Sequence, residues 1–113
     1  MTDEQMRIAV AMELGWTDVR VLKDPDIDFE WPAGIPPGGT TRAAVSDYPN
    51  SRDDCAEFEA TLTPDEEHQY VKELMRLIDP CVGVYIYKAT YTYKATARQR
   101  CEAFLRTRNR WNQ

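Results

Sequence analysis

Midway along the chain the apolar periodicity switches from helical to strand-like, and that switch constrains the fold more than any other feature. Apolar pairs at Tyr70/Val71, Leu74/Met75 and Leu77/Ile78 recur at helical spacing. Thr63-Pro64-Asp65-Glu66 supplies a start for that helix: a hydroxyl cap, a proline in the first turn, and Glu66 closing a capping box. Asp79-Pro80 stops it. From Cys81 to Lys94 the period is two. Tyr85, Tyr87, Tyr91 and Tyr93 share one parity, and Val84, Ile86, Lys88, Thr90, Thr92 and Lys94 the other. This is one long strand, or two turning near Lys88-Ala89. Helix and strand patterns together make the chain α/β.

The remaining elements follow from similar signals. Thr2 and Gln5 form a capping box, with Asp3 and Glu4 against the positive helix end and Gly15 as the stop. Trp16 to Leu22 alternates like a short strand, with Trp16, Val19 and Val21 among its apolar positions. Residues 23–49 hold five of the seven prolines. A structureless loop of that length is uncommon in a compact domain, so the stretch is either functional or partly extended, and Phe29, Trp31 and Ile35 suggest that some of it packs down. Asn50 is placed to cap a helix over roughly 51–61 that buries Cys55, Phe58 and Leu62. Thr96 and Gln99 make a third capping box, with Ala97, Cys101, Phe104 and Leu105 facing inward.

A length of 113 residues suits one domain, 1–113. With 42% hydrophobic residues, three Trp and six Tyr, the chain has the means to fill a core. The N-terminus is acidic where a secretory signal is basic, and no apolar stretch approaches the roughly 20 residues of a membrane span. Cys55, Cys81 and Cys101 are odd in number and form no CxxC, the usage of reduced, buried thiols in a cytoplasm.

The net charge of −5 hides a division. Residues 1–80 carry seven Lys or Arg against eighteen Asp or Glu, a net −11; residues 81–113 carry seven against Glu102 alone, a net +6. Such asymmetry means an anion-binding face, a partner surface of opposite sign, or a basic end folded against the acidic remainder. Non-specific nucleic-acid binding is not expected of so acidic a chain.

Several runs resemble the phage ABA sandwich domain family. They are Asp47-Tyr48-Pro49-Asn50, Asp53-Asp54, Glu57-Phe58-Glu59 and Leu62-Thr63, then Tyr70-Val71-Lys72-Glu73-Leu74. The closing Ala95-Thr96-Ala97-Arg98-Gln99-Arg100-Cys101-Glu102-Ala103-Phe104-Leu105, followed by Trp111, is similar to that family's C-terminal signature. The resemblance implies a three-layer α/β/α sandwich with a small sheet and about four helices. It also implies a phage or prophage accessory protein in the host bacterial cytoplasm. It transfers no catalytic residues.

Groups for proton transfer are scarce. His68 is the one histidine, and it lies among Asp65, Glu66 and Glu67, the setting of a surface histidine. Asp24, Asp26, Asp28 and Glu30 alternate as in a calcium loop but lack its glycine and distal glutamate; along an extended strand all four would share one solvated face. No metal, cofactor or catalytic residue is therefore assigned. Pro37-Gly38-Gly39-Thr40-Thr41-Arg42 offers backbone N–H groups, hydroxyls and a guanidinium to a phosphate, without the Lys-Ser/Thr ending of a P-loop, and a simple flexible turn is the plainer reading of it. The C-terminal third joins cations to stackable rings, as a nucleotide requires. Against this, Arg98, Glu102 and Arg106 stand four apart and can pair along the helix.

The expected function is a non-catalytic binder, foremost one that sequesters an anionic, nucleotide-type host signal. Its ligand set would be Trp31, Thr40, Thr41, Arg42, Tyr91, Tyr93, Arg100 and Trp111. A homo-oligomer is expected, because small chains readily form pockets between subunits. The alternatives are an interaction module that engages a host protein through its acidic face, and a small hydrolase whose site assembles only in the fold.

Overall fold

The computed structural model describes residues 1–78 and 95–111. Among the described residues, four α-helices and a three-stranded antiparallel sheet make a small α/β fold. Helix α1 spans Asp3–Glu13, α2 Arg52–Glu59, α3 Pro64–Ile78 and α4 Ala97–Thr107. The strands are β1 Thr17–Asp24, β2 Phe29–Ile35 and β3 Ala43–Ala44, in the spatial order β1-β2-β3. The alternating tyrosines of 81–94 and Cys81 lie outside the described residues.

The helix starts form as their sequences specify. The Thr2 hydroxyl accepts the Gln5 N–H at 3.1 Å while Gln5 Oε1 accepts the Thr2 N–H at 2.8 Å. Thr63/Glu66 and Thr96/Gln99 repeat that reciprocal bonding. Gly15 takes φ +96° just past α1, a left-handed conformation that glycine adopts without penalty. The cap of α2 differs from expectation. Ser51 accepts the Asp54 N–H at 3.2 Å, and Asn50 instead ends a short 3-10 turn, Tyr48–Asn50, where its amide donates to Asp47 Oδ1 at 3.0 Å. The shorter Ser51 side chain reaches the first-turn N–H groups once Asn50 is committed to the turn.

Helix α4 is the centre of the body, packing against α1, α2, α3 and the 3-10 turn. Its inward positions alternate small and large: Ala97, Cys101 and Ala103 let neighbouring helices approach, and Phe104 and Leu105 fill the space between them. Phe104 stacks on Phe58 with ring centroids 4.5 Å apart, and Phe58 meets Tyr48 and Tyr70 at 6.1 and 6.5 Å. Met6, Val10 and Leu74 close this core.

The proline-rich stretch 23–49 is largely extended. It completes β1, forms the four-residue turn 25–28, and supplies β2 and β3. Helix α1 packs against β1 and β2, so the sheet joins the body through α1. Near that junction Pro32, Ala33 and Gly34 are buried; toward the turn, Val21, Ile27, Phe29 and Glu30 are exposed. The hairpin therefore extends past the core that anchors it.

Candidate functional site

Trp31, Thr40, Thr41 and Arg42 lie on the sheet or in the connection to β3, with Thr40 and Thr41 exposed and Trp31 half-buried. Arg42 is turned onto its own sheet. One pairing step of β1 against β2 holds an extra residue between Thr17 and Arg20, and Asp18 takes φ +51° there. Arg42 Nη1 donates to the Asp18 carbonyl at 2.8 Å, and Nη2 is ion-paired with the Asp18 carboxylate. The guanidinium expected to grip a phosphate instead clamps this bulge, spanning β2 to reach it. The positive charge has its counterion within the fold.

Arg100 is occupied in a comparable way. Its Nη1 lies 2.8 Å from Glu59 Oε2, and the same oxygen accepts the Tyr70 hydroxyl at 2.6 Å. Burial, then the bond to Glu59, pushes the Tyr70 phenol well above its ordinary range. Tyr48 is raised similarly by burial and by its bond to Glu57 at 2.9 Å. Trp111 packs at the edge of the core beneath the Arg106 guanidinium, 5.2 Å from the ring centroid. Tyr91 and Tyr93 lie outside the described residues.

The other C-terminal arginines follow the same rule. Arg98 pairs with Asp3 and donates to the Met1 carbonyl at 2.6 Å. Arg106 meets Glu102 at 2.7 Å, one helical turn away, as their spacing suggested. Arg108 joins three helices, reaching Glu66 at 2.7 Å and Glu13 at 3.4 Å, and Arg110 meets Glu13 at 3.3 Å. Of the three meanings of the charge division, the basic end folded against acidic helices is the one these contacts realise.

Chemistry elsewhere is muted. His68 is exposed on α3. Cys55 and Cys101 are free and buried. The Cys101 thiol is pushed upward by its hydrogen bond with Cys55 and by burial, which disfavours the reactive thiolate. Among the described residues no group of three or more His, Cys, Asp or Glu is placed to hold a metal ion. The alternating acids do not share one face: the turn at 25–28 separates Asp24 from Glu30, and Lys23 lies 3.6 Å from Asp28 and 3.9 Å from Glu30. Among the described residues no helix is long and apolar enough to cross a membrane.

The apolar hairpin departs from the expected packing: Trp31 and Ile35 are half-buried, but Phe29 stays exposed because the hairpin tip reaches beyond the core. Ile27 is 67% exposed and Phe29 56%, and Phe29 stacks on Trp31 with centroids 5.7 Å apart. Their spacing of two was a signal, obscured by the prolines on either side. No family model, curated protein or solved structure gives a significant match to the chain.

Proposed function

We propose that this protein is a non-catalytic interaction module that presents an acidic surface to a basic protein. One observation carries the reading: all five arginines of the last helix and tail are engaged by the chain's own carboxylates. These five positive charges are matched within the fold, and the chain as a whole keeps a net charge of −5. Exposed Asp53, Asp65 and Glu67 place negative charge along α2 and α3. A field of that sign favours encounter with basic partners and repels nucleic acid and anionic metabolites. The resemblance to the phage family adds a setting, in which the partner is a bacterial host protein. Nucleotide binding through Arg42 and Arg100 would compete with the carboxylates that now hold those guanidinium groups.

The test is capture of binding proteins from bacterial lysate at rising salt, alongside mass spectrometry of small molecules released on denaturation. The reading expects basic proteins that elute as salt increases and are lost with Asp53→Asn/Asp65→Asn/Glu67→Gln. A stoichiometric nucleotide released from protein that captures no partner would overturn it in favour of sequestration.

A further inference from the structure

We infer that the tip of the β1–β2 hairpin is the docking element, and that it inserts into an apolar protein groove rimmed by Lys or Arg. The inference rests on the interaction reading above and specifies its contact surface. Two of the four large exposed hydrophobics among the described residues, Ile27 and Phe29, sit at the tip of this hairpin, and a third, Val21, lies farther down on its reverse face. Register explains the arrangement. Asp24 lies opposite Phe29 and Leu22 opposite Trp31, so the stacked aromatic pair, Leu22 and Asp24 share one face. Lys23 and Glu30 lie opposite each other on the reverse face, where the lysine is matched by Glu30 and Asp28. Among the described residues of the two strands, the aromatic face carries no cation beyond Arg20 near its base, which sits 3.9 Å from Asp18.

Charge selects the partner. Asp24, Asp26, Asp28 and Glu30 flank Ile27 and Phe29 along the chain, against Lys23 alone, and this negative surplus at the tip repels nucleic acid and anionic bilayers. Self-association through this tip would oppose like charges. A protein groove with an apolar floor and basic lips satisfies both features: aliphatic and aromatic anchors bury in the centre while ion pairs form at the rim. The turn is suited to insertion. Asp24 Oδ1 accepts the Asp26 N–H at 2.9 Å, and Asp28 takes φ +51°, so the loop is shaped before contact.

The experiment is an NMR titration of the full chain with a synthetic amphipathic Leu/Lys peptide. A Leu/Glu peptide of the same pattern, phosphatidylglycerol vesicles and simple dilution form the comparison arms. Saturable shifts centred on residues 24–31 with the Leu/Lys peptide are expected. Affinity should fall about tenfold or more in Ile27→Ser/Phe29→Ser, and several-fold in Asp26→Asn/Asp28→Asn. Both side-chain pairs are exposed, so circular dichroism should show an unchanged fold. Shifts confined to the α2–α3 carboxylates would overturn the hairpin assignment and leave the interaction reading standing. Equal binding by the serine variant, equal binding of the Leu/Glu peptide, vesicle binding or dilution-dependent shifts would each overturn it as well. Absence of binding here, with salt-sensitive capture still observed from lysate, sinks the hairpin alone.

Discussion

Arg100 and Glu59 meet at 2.8 Å between α4 and α2, with the arginine side chain only 12% exposed and the carboxylate 29%. A guanidinium so placed helps to hold the helical body together, and Glu59 is further committed by the Tyr70 hydroxyl. Arg100→Ala leaves a half-buried carboxylate without its cation. The expected cost is about 2–3 kcal/mol in urea denaturation, below the maximum for a buried pair because water reaches Glu59. A double-mutant cycle with Glu59→Gln should show the two changes to be non-additive.

Phe58 contacts three rings at once, so its removal opens a cavity that no single neighbour can refill. Phe58→Ala is expected to cost about 3–5 kcal/mol. Phe29→Ala, on the exposed hairpin, should change stability by less than about 1 kcal/mol. Equilibrium denaturation of both variants checks the contrast.

Two glycines separate crowding from backbone strain. A Cβ on Gly34 would stand 2.9 Å from Val19 Cγ2 and 3.0 Å from the Thr17 carbonyl oxygen. Gly34→Ala must therefore displace β1 backbone, at about 1–3 kcal/mol. Gly38 has open space around it but φ +76°, so Gly38→Ala should cost about 1–2 kcal/mol from conformation alone. Thermal melts of the pair should show both losses, with β1 amide shifts disturbed only in Gly34→Ala.

Stability should decline in alkali. Tyr48 and Tyr70 ionise near 10.0 when unfolded and well above that when folded, chiefly through burial. Groups raised in this way stabilise the fold fully below pH 10 and progressively less above it, because only the unfolded chain releases the protons. Phenolate absorbance should lag behind that of the denatured protein, and Tyr70→Phe should flatten the loss of stability above pH 10. An equally steep decline in that variant would contradict the assignment.

What the sequence disclosed tracks how local each signal is. The boxes at Thr2/Gln5, Thr63/Glu66 and Thr96/Gln99 are complete within four residues, and all three form. The Asn50 cap was misplaced by one residue because Asn and Ser side chains compete and the 3-10 turn decides between them. Arg42 shows the harder limit. Beside two glycines and two threonines it looked like a phosphate grip, yet its partner Asp18 is 24 residues away in a bulge that nothing nearby announces. Charge counts placed a basic third beside an acidic remainder; only tertiary contacts showed its five arginines paired with carboxylates.

Titration with adenosine triphosphate, followed through the arginine side-chain NMR signals, probes the internal use of that basic third most directly. With the guanidinium groups of Arg42, Arg98, Arg100 and Arg108 held by carboxylates, no saturable shift should appear at millimolar nucleotide. Saturation at micromolar nucleotide, centred on those four side chains, would contradict the account.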